Sequence, residues 1–301
     1  MNKLGIGDRG SRNENWRKSY HRRDRREGRP FSFGFSATAV SSAVKLFFSG
    51  TIIVLLLFFL NSSALAISGR DVYEKVHDLR SRTLDHKIEM TMVLFDKGGG
   101  KRTRTLTQYG KKADPEAYKF LVVFKSPPDL KNVGFLVHAH TFSDRDLWAY
   151  FPEYKRVRRI ATTSQDDSFF GSDLSYDDFT GPPNLDDYKF SILKEDMADG
   201  RPCYVVEVTP KIHRKYTKYV AWVAKDLWIH LKIDYYQDDV VYRSGMFKDV
   251  RMIDGIPTPF KTDMENRKTG HRTELMFESV QYHTHFSDDL FTQRSLERAG
   301  K

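Results

Sequence analysis

Between residues 227 and 236 the chain alternates with a period of two. Leu227, Ile229, Leu231, Ile233 and Tyr235 fall on one side, and Trp228, His230, Lys232, Asp234 and Tyr236 on the other. That is the pattern of a half-buried strand with one wet face. The same alternation recurs along most of the chain. Ile88, Met90, Met92 and Leu94 alternate with Glu89, Thr91, Val93 and Phe95. Asp96-Lys97-Gly98-Gly99-Gly100 then turns the chain into a run marked by Thr103, Thr105, Thr107 and Tyr109, so the pair reads as a hairpin. Residues 118–125 end at Pro127-Pro128, which cannot donate to a ladder. Runs at 133–142, 146–151, 156–160, 188–194, 203–209, 218–224, 240–252, 256–265 and 272–282 complete the set. The whole is expected to give about eleven strands. Residues 68–80 form an amphipathic helix through Val72, Val76 and Leu79, capped by Ser68 or Asp71, and a second short helix is expected within 171–180. Mainly β architecture follows: one large curved antiparallel sheet, a sandwich or a barrel. So little helix cannot cover a whole sheet face, and a few helices over the mouth would leave an apolar cavity.

The 301 residues carry a net charge of +9, which on its face suggests nucleic acid. Eleven Lys and Arg stand against four Asp and Glu in residues 1–45. Most of the excess therefore belongs to a leader, and no nucleic-acid partner is expected. Residues 46–60, LFFSGTIIVLLLFFL, form an uncharged apolar run behind Lys45, followed by Ala64-Leu65-Ala66. A basic flank, a short apolar core and a small-x-small site make a secretory signal peptide. Cleavage is expected after Ala66, leaving residues 67–301 as one domain in the periplasm. The run is shorter than the roughly 20 residues a spanning helix needs, which disfavours an uncleaved anchor. From Val44 onward the signal has an ordinary layout, which suggests translation starting there; a long leader or a twin-arginine route through Arg22-Arg23 are the alternatives. A disulfide framework is excluded, because Cys203 is the only cysteine.

Catalytic motifs are sparse. His138-Ala139-His140 and His283-Thr284-His285 each put two imidazoles on one side of a strand, where they could chelate a metal. No carboxylate or thiol accompanies them at ligand spacing, so polar residues on a sheet face or edge are the better reading and no metal is assigned. There is no G-x-S-x-G, no helical H-E-x-x-H and no phosphate-binding Gly-rich loop. Cys203 reads as an inert half-buried thiol. The charged segments are more pointed. Lys155-Arg156-Val157-Arg158-Arg159 is soon followed by Asp166, Asp167, Asp173, Asp177 and Asp178. The acidic stretch is expected to fold back over the basic strand as an internal network; docking to anionic lipid heads or an acidic partner is the alternative. The apolar inventory, including Phe151, Trp222 and Trp228, reads first as core, but a sheet with so little helix over it also suggests a ligand surface.

Asp146-Leu147-Trp148-Ala149-Tyr150-Phe151-Pro152, with Lys155 to Ile160 after it, resembles a block of the outer-membrane lipoprotein-sorting family, the LolA-like proteins. So do residues 168–178, SFFGSDLSYDD, and the earlier stretches 124–131 and 134–136. The resemblance spans most of residues 70–293. It implies an unclosed β-barrel of about eleven antiparallel strands with helices at the mouth. It further implies a monomeric periplasmic carrier that shields acyl chains of a lipoprotein or lipid, touches membranes transiently, and takes no cofactor and turns over no substrate. The expected cavity lining is Met90, Met92, Leu94, Phe120, Val122, Phe124, Phe135, Val137, Trp148, Tyr150, Tyr219, Leu231 and Ile233. Arg156, Arg158, Arg159, Gly171, Ser172, Asp173, Tyr176 and Asp178 mark the family motif and a candidate docking surface. A one-residue slip in register would move every lining residue to the other face. Two rivals stand beside the carrier: an adaptor subunit of an inner-membrane transporter of the resistance-nodulation-division type, and a metal-dependent envelope enzyme built on the histidine pairs.

Overall fold

The computed structural model describes residues 67–114, 117–140, 145–161, 166–179 and 182–299. The leader, the cleavage point after Ala66 and the start at Val44 lie outside the described residues. Helix α1 (Gly69–Arg82) begins at Ser68, whose hydroxyl accepts from the Asp71 amide while the Asp71 carboxylate accepts from the Ser68 amide at 2.9 Å. This reciprocal pair satisfies two amides that a helix start leaves open. Val72, Tyr73 and Val76 form its buried side.

Thirteen strands follow, not about eleven, because every alternating run pairs and none drops out as a loop. They are β1 (His86–Phe95), β2 (Lys101–Asp114), β3 (Ala117–Ser126), β4 (Gly134–His140), β5 (Asp146–Phe151), β6 (Arg156–Ile160), β7 (Tyr188–Ala198), β8 (Arg201–Pro210), β9 (Lys218–Ala224), β10 (His230–Gln237), β11 (Val240–Ile253), β12 (Ile256–Asn266) and β13 (His271–Tyr282). All pair antiparallel in one sheet of order β6-β5-β4-β3-β2-β1-β13-β12-β11-β10-β9-β8-β7. First and last strands thus meet in the middle, and the sheet stays open between β6 and β7, which are consecutive in sequence. The connection between them, residues 161–187, is here called the strap.

The register traces one inner face across the sheet. Met92 stands opposite Leu275, Leu275 opposite Thr262, and Thr262 opposite Phe247. Further along, Met264 faces Gly245, Gly245 faces Ile233, Ile233 faces Ala221 and Ala221 faces Val206. In the other direction Met90 leads to Leu106, Phe124 and, through the next strands, Val122, Phe135 and Val137. Two layers cover this face. The strap lays Phe169, Leu174 and Phe179 over the β1–β5 side, and α1 lays Val72, Tyr73 and Val76 over the β8–β11 side. The short helix expected within 171–180 is instead a pair of 3-10 turns, Phe169–Gly171 and Asp177–Phe179. On the outer face, Leu121, Val123, Leu136 and Tyr150 are covered by Phe291 and Leu296, the latter from α2 (Gln293–Ala299).

Gly69 sets how closely α1 approaches the sheet. A Cβ there would lie 2.9 Å from the backbone carbonyl carbon of Phe190 on β7. Gly69→Ala, which helix propensity alone would favour, is therefore expected to lower stability by about 1–3 kcal/mol through overpacking. Urea denaturation followed by circular dichroism measures it; a gain in stability would contradict this packing.

Candidate functional site

A cavity of about 380 Å³ lies between α1, the strap and the inner face of the sheet, within the size range of small-molecule sites. Val76 and Leu79 of α1 line one wall, with Ile88, Met90, Ile233, Phe247, Met264, Leu275 and Phe277 from the strands opposite. Leu174 and Phe179 of the strap close one side. Polar groups line it as well: Arg80, Thr83, His86, Gln108, His230 and Arg243, with the carboxylates of Asp166, Asp177 and Asp178.

The thirteen lining residues expected from sequence divide into four groups. Met90, Tyr219 and Ile233 line the cavity. Met92, Leu94, Phe120, Val122, Phe124, Phe135 and Val137 share its inner face but pack directly beneath the strap. Leu231 is fully buried in a separate cluster with Cys203, Ala224 and Ile229. Trp148 and Tyr150 stand on the outer face against Phe291 and Leu296. The outlying position of Leu231 has a local cause. The pairing of β10 with β9 shifts between His230 and Lys232, and a bulge of that kind offsets the alternation. His230 and Trp228, which strict alternation places on the wet face, line the cavity instead.

The strap is held by buried polar contacts. Arg243 of β11 donates from Nη1 to Asp178 Oδ2 at 3.0 Å and to the Asp173 carbonyl at 3.2 Å, and stacks 4.0 Å from the Tyr235 ring. Burial works against its charge, but Asp178, Tyr235 and Tyr242 hold its pKa above the ordinary value. Asp178 Oδ2 also accepts from the Ser175 amide and hydroxyl. Asp173 Oδ2 accepts from Thr273 Oγ1 and from His271 Nδ1, each at 2.8 Å. Ser172 Oγ donates to the Phe169 carbonyl at 2.8 Å, and Gly171 takes a positive φ of 75°. Tyr176 packs on Phe135 and Phe169. Farther along, Asp177 meets Arg145 and Asp166 meets Arg214. The acidic segment thus forms an internal network, but its partners are Arg145, Arg214, Arg243 and His271, not the basic strand. Arg156, Arg158 and Arg159 lie exposed on the edge strand β6, where Arg159 pairs with Asp146 and Arg158 stacks on Tyr154.

The histidine pairs are otherwise engaged. His138 Nε2 lies 2.7 Å from the Phe291 carbonyl, and its ring packs against Trp148. His140 closes β4, and its side chain lies outside the described residues. The amides of His283 and His285 both donate to Asp85. Among the described residues no group of three or more His, Cys, Asp or Glu could hold a metal ion. Two unpaired histidines do matter to the cavity. His86 on β1 is 5% exposed, and burial pushes its pKa down to about 4 despite its bond to the Thr83 carbonyl. His230 falls to about 3, through burial first and then the charge of Arg80. His86 went unread, although its place two before Ile88 and four before Met90 is a signal that puts it on the same inward face. Arg243, Thr273 and His271 carried no such signal, being single residues 65 to 100 positions from their partners.

Solved structures share this fold. A protein described as an outer membrane lipoprotein-sorting protein domain from Vibrio parahaemolyticus is 26% identical, with 76% of this chain and 98% of that chain covered and a TM-score of 0.72. A DUF1329 family protein from Desulfovibrio piger is 31% identical over 76% of this chain and 97% of that one, with a TM-score of 0.71. A LolA superfamily protein from Nitrosomonas europaea, 18% identical, covers 76% of this chain and 100% of its own at a TM-score of 0.60, a likeness of fold. A family model described as an uncharacterized protein matches residues 116–298. No curated protein matches the chain. An open antiparallel sheet wrapped around an inner face, with a helix and a strap over it, defines the LolA-like class. The chain belongs to the DUF1329 family.

Two outcomes follow from the site. Arg243→Met leaves Asp178 without its cation beside a buried strap, and is expected to cost about 3 kcal/mol, read as a lower urea midpoint; an unchanged midpoint would show that the pair does not hold the strap. The depressed histidines set a pH dependence. Because the folded state binds their protons more weakly than the unfolded chain, their contribution is full above pH 6.5 and is lost as the pH falls toward 4. For His86 the loss by pH 4 is roughly 3 kcal/mol. Denaturation midpoints across that range should fall in the wild type and less steeply in His86→Phe; parallel profiles would contradict it.

Proposed function

We propose that this chain is a periplasmic carrier. It holds an acyl chain of a lipid or lipoprotein in the inner cavity and moves it between membranes. The observation that carries the reading is the cavity left between α1 and the sheet, where Ile88, Met90, Ile233, Met264 and Phe277 present hydrocarbon to one space. Burying a chain gains about 0.8 kcal/mol per methylene, so such a space can compete with a bilayer for it. The likeness to a lipoprotein-sorting domain and to a LolA superfamily protein supports the same role. Met90, Tyr219 and Ile233 are the first contacts of the chain. The row from Met92 to Val137 continues the same face but is filled by the strap, so a longer chain would reach it only by displacing Phe169, Leu174 and Phe179.

In this reading the leader exports the protein and is removed after Ala66. Among the described residues no helix is long and apolar enough to cross a membrane. The protein binds and releases cargo as a monomer without turnover, and Arg156, Arg158 and Arg159 on β6 meet the membrane surface or a transporter. That exposed basic edge also favours a second reading, an adaptor of a resistance-nodulation-division transporter that uses the fold without cargo.

A dansyl-labelled fatty acid titrated into the protein separates the two. The carrier should bind it at micromolar or tighter concentrations with a blue-shifted emission. Val76→Phe, which fills the cavity from α1, should weaken binding about tenfold or more while circular dichroism stays native. Absence of saturable binding to the wild type would leave the adaptor.

A further inference from the structure

At the end of the cavity nearest the carboxyl end of α1, Arg80, Thr83, His86 and Gln108 border both the main cavity and an adjoining pocket of about 100 Å³. They form the neck between the two. The chemistry of this neck is unusually well determined. His86 Nδ1 lies 2.6 Å from the Thr83 carbonyl. A carbonyl has no proton to give, so Nδ1 carries the hydrogen. The buried ring is neutral, and its Nε2 is therefore a bare acceptor. That atom is buried and has no hydrogen-bond partner among the described residues. The ring is also fixed in place: a Cβ at position 110 would lie 2.4 Å from its Cε1, so it seats only against glycine, with Phe120 at 5.6 Å.

The other groups complement it. The Arg80 guanidinium makes no ion pair or hydrogen bond among the described residues, while the nearby Asp178 is committed to Arg243. Gln108 shares the inner column of Leu106 and Gly110, and its amide makes no hydrogen bond among the described residues. The neck thus offers the unpartnered His86 acceptor, one cationic donor and one amide able to do both, beside the Asp178 carboxylate that holds Arg243 through Oδ2. Ile88 and Met90 continue from His86 directly into the apolar space.

We propose that this neck is a headgroup site, selective for acyl amphiphiles whose head carries a hydrogen-bond donor beside a carbonyl. As the neck widens around the ligand the donor meets the buried His86 Nε2, the carbonyl meets Arg80, and the chain runs past Ile88 and Met90. A glyceride hydroxyl next to its ester, or the N–H of an acylated peptide next to its carbonyl, satisfies this. An ionised fatty acid can meet Arg80 but brings no donor for His86 Nε2, so it binds through its chain and less tightly than either. The inference rests on the carrier reading.

Displacement of the dansyl-labelled fatty acid from the full-length protein, purified from the cell envelope, tests it with three probes of equal chain length. These are 1-monopalmitoylglycerol, an N-palmitoyl glycyl peptide and methyl palmitate, which has no donor. At least one donor-bearing probe should bind about tenfold tighter than methyl palmitate, since a buried unpaired acceptor is costly. The tighter of the two tells whether the source is a glyceride-type lipid or an acylated protein. His86→Phe should bring that ratio close to one. Gln108→Leu should lower it in part, and decides the matter if His86→Phe does not fold. Equal binding of all three probes, or a ratio that survives in both variants, overturns the headgroup site and leaves the carrier standing. Failure of the dansyl probe and all three lipids to bind overturns the carrier itself and this site with it.

Discussion

The inner face of the sheet is apolar along nearly its whole width, and water must be kept from it by very little chain. Among the described residues thirteen strands make up that sheet, and α1 and the strap are what cover its inner face. This shortage shapes the rest. The strap crosses from one open edge to the other, so it can reach the apolar row of β1–β5 but must bring a polar backbone with it. Its carbonyls and carboxylates are then buried, and each needs a partner from the sheet. Arg243, Thr273, His271 and Arg104 supply them: Arg104 Nη1, for instance, donates to the Phe170 carbonyl at 2.7 Å. Helix α1 covers the other side but is too short to fill it, and the remaining space is the cavity.

Filling therefore differs between the two halves of one continuous surface. Under the strap, Phe169 stacks with Phe124 and meets Phe135, Tyr176 and Phe179 edge-on or tilted. That is dense aromatic packing. Under α1, Tyr73 approaches Phe190, Tyr219 and His230, but the helix leaves the β12–β13 side uncovered. The cavity sits where the covering element ends, and the polar neck sits at the helix's last turn.

Much of the architecture was legible because period-two alternation is a local signal. The hairpin at Gly98 to Gly100, the cap at Ser68 and the inward row of Met90, Met92 and Leu94 all follow from residues close in sequence. Where the reading slipped, the cause was not local. The shift of pairing at His230 to Lys232 turned Leu231 aside and brought His230 inward, and no residue type announces a bulge there. Trp148 and Tyr150 look like lining residues until α2, about 140 residues later, covers the face they occupy. The acidic segment was read onto the basic strand beside it in sequence, but its cations come from β11 and from Arg145 and Arg214. Ion pairs across a fold are decided by topology, which alternation does not reveal.

The likeness to a lipoprotein-sorting domain and the apolar wall of the cavity both support the proposed carrier role. The neck of Arg80, His86 and Gln108 is the part of the proposal that would give such a carrier a chemical preference. Native mass spectrometry with lipid extraction, on protein released from the cell envelope without detergent, tests the central claim most directly. The account predicts a stoichiometric adduct that proves to be an acylated molecule. A clean apo mass throughout, from protein whose fold is intact by circular dichroism, would contradict it.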